Sequence, residues 1–471
     1  MQKALRVLIC VMFIVGVFGF LPKSSVQAEA YTSYVSGITM VNLSTLQATV
    51  TIDYYIGGTG ADAGNLATTT TETVNGGAVR DYAAVPVSNF KGAVVISSSQ
   101  PIAAMSTLTG GGKGRGSYVG SSTGTKTVLL PFLAKNHGAS KWSTFIAVQN
   151  IGLNDTTVTV DYAGCATGDP TAVVKPGSSV IFDQKTAACL ANGLTSAVVT
   201  STTENILAVV DQESTVTNTA LVSSGFAAGS TTPVIPLVNA NNPTVAGWRT
   251  AITIMNVGGS STDLTLTYQR TDGTTCTETQ TIPSQSSKVF AGATLQNGAA
   301  FSTCVAGERL VGAAYVANAA DNSAGMPLVA IVNQDRSGFA SAYGSFDPSS
   351  ATPRVVMPLI MDNNGSGQWG TSFNVMNVGD APTFVKCTFK NSTYVATSPE
   401  AGLPVNGVFE SLQRGNLGGP KVTSSECLAY TDNTYATVDT NAKIVAVVNE
   451  RALVSSGADG LLTYEAVNAE P

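Results

Sequence analysis

The sequence predicts an all-β chain: four tandem antiparallel β-sandwich domains behind a cleaved signal peptide. Three observations carry that prediction. One run of alternating apolar residues recurs four times in 471 residues. Only 11% of the residues are charged while 44% are hydrophobic, and 47 are glycine. No segment sustains the 3.6-residue period of an amphipathic helix. A soluble domain usually carries about 25% Asp, Glu, Lys and Arg, so Thr, Ser, Asn and Gly must cover much of this surface. That composition excludes a coiled coil, which needs Glu, Lys, Arg and Leu. It also excludes classical disorder, because there is ample apolar surface to bury. A net charge of −6 argues against a nucleic-acid partner, which requires a basic footprint to release counterions.

Residues 1–30 read as a signal peptide. Lys3 and Arg6 form a positive start, Val7 to Leu21 is an apolar run, and Ala28-Glu29-Ala30 supplies a small-residue cleavage site. The run is shorter than the ~20 apolar residues that span a bilayer, so no membrane span is expected after cleavage. Cys10 has no lipobox-like position just after it, which argues against a lipid anchor. The mature chain is expected to be secreted, in the extracellular space or at the cell surface.

The repeated element comes next. YVSGITMVN from Tyr34, WSTFIAVQN from Trp142, WRTAITIMN from Trp248 and WGTSFNVMN from Trp369 align without gaps. Each aromatic residue is followed eight positions later by Asn42, Asn150, Asn256 or Asn377. Apolar residues alternate between them (Ile38, Ile146, Ile252, Phe373, then Met40, Val148, Ile254, Val375), the period-2 mark of a half-buried strand. A turn follows the asparagine, and then a second strand carries Val50, Val158, Leu264 or Val385 and Tyr54, Tyr162, Tyr268 or Phe389. Two strands around a Gly- and Asn-bearing turn read as a hairpin. An asparagine entering a turn can bond the backbone two residues on, so the four asparagines are assigned a fold role.

Each unit also holds a late strand, at Pro101, Ile206, Leu328 and Ile444. Three units open with an extended segment centred on Pro131, Pro236 or Pro358, suited to an edge strand or linker. Clusters of Ser, Thr, Gly and Pro set the boundaries: 31–127, 128–232, 233–353 and 354–471. Unit one lacks the Pro-centred leading segment. Turn signals every 8–12 residues are the pattern of a β-sandwich.

The pattern W-x-T-x-I-x-V-x-N-x-G followed by V-T-V-x-Y resembles the Ig-like adhesion and linker modules of bacterial cell-surface proteins, the broad class that includes CARDB-like and fibronectin-III-like domains. The resemblance covers the whole mature chain at the level of fold. It implies spacers, adhesion units or assembly subunits. Its motifs are packing motifs and bring no catalytic residue.

Six cysteines remain after Cys10, two in each of units two to four: Cys165 with Cys189, Cys276 with Cys304, and Cys387 with Cys427. Six allow 15 pairings; the repeats single out pairing within each domain. Each bridge would be worth roughly 3 kcal/mol on the chain-entropy model. Unit one, with no cysteine and Tyr34 where the others have tryptophan, is expected to be the least stable.

Candidate chemistry is sparse. His137, the single histidine, reads as a loop residue with neither an activated nucleophile nor an orienting acid. Gly110 to Gly116 lacks the order of a phosphate loop and reads as a hairpin turn. Asp169, Asp183, Asp211 and Asp362-Asn363-Asn364 offer oxygen ligands suited to Ca²⁺, but none follows a calcium-loop pattern. No metal, cofactor or catalytic residue is expected. The tryptophans fall in registers that look buried, leaving few platforms for sugars. Asn42, Asn154, Asn364 and Asn391 stand in N-x-[ST] contexts.

The expectation is therefore a non-catalytic structural protein, a rod of sandwiches in a cell-surface or filamentous assembly. Its partners would be itself or other surface proteins, by strand addition at an open edge of unit one. The alternative is an adhesin binding a glycan through loops of units three and four, Asn318 to Pro327 and Pro399 to Pro420.

Overall fold

The computed structural model describes residues 5–9, 33–82, 84–111, 113–243, 247–290, 303–305, 307–453 and 458–470, with the backbone alone at 5–9. The expected cleavage site at Ala28 to Ala30 and Cys10 lie outside the described residues.

One eight-strand path occurs four times. Repeat one runs through β1 (Leu5–Ile9), β2 (Tyr34–Asn42), β3 (Ala48–Ile56), β4 (Leu66–Val74), β5 (Val79–Tyr82), β6 (Gly92–Ser98), β7 (Ile102–Gly110) and β8 (Gly114–Val119). Repeat two follows with β9 (Thr127–Lys135), β10 (Ser143–Asn150), β11 (Thr156–Tyr162), β12 (Thr171–Val174), β13 (Ser179–Asp183), β14 (Gly193–Ser201), β15 (Ile206–Ser214) and β16 (Thr219–Ser224). Repeat three comprises β17 (Val234–Asn242), β18 (Trp248–Asn256), β19 (Thr262–Arg270), β20 (Thr275–Ile282), β21 (Ser286–Phe290), β22 (Leu310–Tyr315), β23 (Leu328–Arg336) and β24 (Phe339–Gly344). Repeat four comprises β25 (Arg354–Asp362), β26 (Gly370–Asn377), β27 (Phe384–Phe389), β28 (Val395–Thr397), β29 (Val408–Leu412), β30 (Lys421–Tyr430), β31 (Ile444–Arg451) and β32 (Leu461–Glu465), then a short β33 (Val467–Ala469).

The pairing is the same each time. The first, sixth, third and fourth strands form one antiparallel sheet, as in β1-β6-β3-β4 and β9-β14-β11-β12. The fifth, second, seventh and eighth form the facing sheet, as in β5-β2-β7-β8 and β13-β10-β15-β16. In repeat three the two sheets join through β17 and β18. Alternation sets which side chains fill the gap: Ile38, Met40, Val50, Ile52 and Tyr54 lie in the core of repeat one, and Ile252, Ile254, Leu264, Leu266 and Tyr268 in that of repeat three.

The leading prolines sit at irregularities. The ladder shifts register between Ile235 and Val238, between Met357 and Ile360, and opposite Leu130 to Leu133. Pro236, Pro358 and Pro131 lie inside those shifts, where a residue without an N–H costs no ladder bond.

By compactness the chain divides into two units, residues 1–227 with 457–459, and residues 228–456 with 460–471. Each holds two copies of the path, so four separate sandwiches in a string do not describe the arrangement inside a unit. In the first unit β8 and β16 pair antiparallel at Arg115 and Ala220, making one eight-stranded sheet of two repeats. In the second, β24 and β32 lie side by side: Ser341 Oγ and Thr463 Oγ1 are 2.6 Å apart, and Gln334 Nε2 donates to Thr463 Oγ1 at 2.9 Å.

Three expectations need correction. The motif strand and the strand after it are not a hairpin: β2, β10, β18 and β26 do not pair with β3, β11, β19 and β27, because the intervening turn carries the chain across the core to the facing layer. Pro399 to Pro420 is not a loop insertion: it contains β29, paired with β26 and burying Phe409. Its glycines and prolines hide a short strand that the alternation rule passes over. The leader does not stand wholly outside the fold of the full-length chain either. Leu5–Ile9 pairs antiparallel with β6, from Leu5 opposite Ser98 to Ile9 opposite Val94. That is the position the Pro-centred strands hold in the other repeats.

Candidate functional site

The four recurrent asparagines close the turn by which the chain leaves each motif strand for the facing strand layer. Asn42 Nδ2 donates to the carbonyls of Leu46 (2.7 Å) and Val74 (3.0 Å), and its Oδ1 accepts from the Ser44 N–H at 3.0 Å. Asn150 repeats this with Asn154, Val174 and Gly152. Asn256 does so with Ser260, Ile282 and Gly258, and Asn377 with Ala381, Leu403 and Gly379. All four are fully buried, and none has a left-handed backbone. Each side chain ties three backbone segments together where burial would otherwise leave polar groups unpaired. The amide nitrogen of Asn42 is spent on these bonds, so its N-x-[ST] context is closed in the folded chain.

The aromatic residues that lead the motif divide. Tyr34 is buried, and its hydroxyl donates to Glu213 at 2.5 Å. Trp142, Trp248 and Trp369 are only half-buried, against the expectation that they pack inside. The cause is local: each lies at the entry to its strand, where the hairpin from the leading strand closes. The backbones of His137 and Trp142, and of Asn364 and Trp369, bridge there. Trp248 is flanked by the guanidinium groups of Arg336 and Arg451, each 5.9 Å from the ring, and by Phe339 at 6.2 Å.

The cysteines are joined as Cys165–Cys189, Cys276–Cys304 and Cys387–Cys427. Three disulfides fit an oxidising, non-cytoplasmic compartment. Cys387 and Cys427 stand directly opposite on β27 and β30, fully buried. Cys165 and Cys189 lie in turns, with Cys189 exposed.

The remaining candidates are spread apart. Gly110 to Gly116 spans the β7–β8 hairpin. Asp362 is buried, and its carboxylate accepts from the N–H groups of Gly415 (2.6 Å) and Leu417 (2.9 Å). Asp183 accepts from the Lys185 N–H at 2.8 Å, and burial raises its pKa above the ordinary carboxylate range. Among the described residues no group of three or more His, Cys, Asp or Glu is placed to hold a metal ion, and no helix is long and apolar enough to cross a membrane.

Two sets of residues escaped sequence reasoning, and both hold the leading strand. The hydroxyl residue two positions after the motif aromatic bonds that strand's backbone. Thr144 Oγ1 accepts from Ala134 N–H at 3.0 Å, Thr250 from Asn239 at 2.9 Å and Thr371 from Met361 at 2.6 Å. A tyrosine on the last strand grips the bulge. Tyr343 OH accepts from Leu237 N–H at 3.2 Å and donates to its carbonyl, and Tyr464 does the same at Leu359. Ser36 and Tyr118 hold the matching positions in repeat one, both buried. Ser36, Thr144, Thr250 and Thr371 are visible in the aligned motif as a hydroxyl at its third place, the signal that could have found them.

No family model matches the chain, and no curated protein matches it.

Proposed function

We propose that the chain is a secreted, non-catalytic structural or interaction protein that contributes its β-sandwiches to a cell-surface or extracellular, filamentous assembly. One observation carries this reading. The asparagines that recur in every repeat, and the motif hydroxyls Thr144, Thr250 and Thr371, are spent on holding strands together. The three disulfides add to that support. A carbohydrate- or peptide-processing site would instead single out one repeat, because catalysis needs one converging set of groups.

The test is the state of the native material. Fractionation of the source cells, with electron microscopy and sizing of the purified mature chain, is expected to find it in polymers or retained at the surface. A free monomer at high concentration, with no retained fraction, would overturn the reading.

A second reading, an adhesin for a glycan, is favoured by the half-buried Trp248 between Arg336 and Arg451, since an aromatic face beside donors suits a sugar. A glycan array read with Trp248→Ala distinguishes it. Binding that survives this change places the ligand elsewhere.

A further inference from the structure

The sheet that carries β1 has two unlike edges. Its far edge, β4, is LATTTTETV, half-exposed, with Thr69, Thr71 and Thr73 pointing outward. Its near edge without β1 would be β6, GAVVISS, buried along almost its whole length. Natural sheets blunt open edges with charge, proline or bulges; β6 has none of these. In the other repeats the equivalent strands β14, β22 and β30 are covered by β9, β17 and β25. Those covers are held by Thr144, Thr250 and Thr371 and, in repeats three and four, by Tyr343 and Tyr464. Repeat one keeps Ser36 and Tyr118 at these positions, yet the segment that covers its β6 is Leu5–Ile9, from the leader.

We propose that removing the leader opens a strand-acceptor slot along Gly92–Ser98, and that Leu5–Ile9 is its temporary occupant. The lasting occupant is an extended apolar strand of a separate polypeptide. The three internal covers define its chemistry: at least five consecutive apolar residues with no charge inside the run and a proline at the ladder irregularity, as in VLLPFLA, VIPLV and VVMPLIM. Main-chain bonds to β6 give the affinity. The hydroxyls of Ser36 and Tyr118 fix register by meeting the incoming backbone. The proposal rests on the reading of residues 1–30 as a cleaved leader, and it names the contact through which the chain would join its assembly.

Amide hydrogen exchange across Gly92–Ser98 tests this, with the full-length chain, the mature chain (31–471) and a synthetic peptide of residues 127–135, TVLLPFLAK, as probe. The expected result is that the slot-facing amides exchange at least 100-fold faster in the mature chain than in the full-length one. The peptide should bind one to one and restore protection, whereas a peptide carrying Leu129→Asp and Leu133→Asp should not. Tyr118→Phe should weaken peptide binding about fivefold, the scale of one hydrogen bond. If repeat one loosens as a whole without a strand, the peptide should restore protection throughout it.

Equal exchange in the two chains overturns the proposal. So does a peptide without effect, or an exported protein whose mass shows that Leu5–Ile9 is retained. The outcome separates from that of the assembly reading. A free monomer that takes up the peptide defeats the assembly and leaves the slot, while an assembled protein with an unprotected, peptide-blind β6 defeats the slot alone.

Discussion

A buried asparagine that makes three hydrogen bonds is costly to replace, because its partners stay buried after it is gone. Asn256→Ala strips the carbonyls of Ser260 and Ile282 and the N–H of Gly258 of their partner. The expected loss is about 2–4 kcal/mol, read by chemical denaturation. Asn256→Asp should be at least as damaging, since it sets a carboxylate against two carbonyls. A different residue governs pH dependence. Burial holds the Glu450 carboxyl well above its ordinary range, against the opposing pull of the Thr371 hydroxyl and the Arg414 charge. A carboxyl raised in the folded state favours folding while it is protonated, and that contribution is lost as pH rises through the folded value. Glu450→Gln should therefore stabilise the chain at pH 7 and change little near pH 4, as melting curves at the two values will show.

Among the strands, the most legible are those where alternation and a turn coincide: β2, β10, β18 and β26, and the strands β3, β11, β19 and β27 that follow them. Strands such as β3, β11 and β27 bury one face, so the period in the residues is the period of the packing, whereas the motif strands β2, β10, β18 and β26 are buried along almost their whole length on both faces. The fixed spacing also made the asparagines legible, and the repeat boundaries singled out the cysteine pairing. What stayed hidden depends on distant neighbours. Nothing near Tyr343 announces that it will grip Leu237, 106 residues away. The tryptophans depart from the expectation because they stand at the first residue of the strand (Trp248) or just before it (Trp142, Trp369), where alternation no longer reports burial. At this scale the disulfides differ in a testable way. Cys165–Cys189 closes a separation of 24 residues near the surface, and Cys387–Cys427 closes 40 inside a sheet. A mild reductant should open the first long before the second, as mass-resolved thiol labelling will show. Replacing Cys165 and Cys189 by serine should cost about 3 kcal/mol.

For the whole molecule, two compact units predict two heat-absorption transitions in calorimetry rather than four. The unit of residues 1–227 has a single bridge, and its repeat one has none, whereas the other unit has two. It should melt first, and limited proteolysis should cut first within 33–119. A repeat one that outlasts the rest would contradict this.

The meeting of β8 with β16, and of β24 with β32, also bears on copy number. In each unit two repeats meet at their closing strands, by a backbone pair in the first and by side-chain bonds in the second, so a chain built this way counts in twos. Loss of any one repeat would orphan its mate, and the shortened chain should recover the missing half from a neighbour, becoming a dimer. Parity, more than length, would then limit how such a protein can grow.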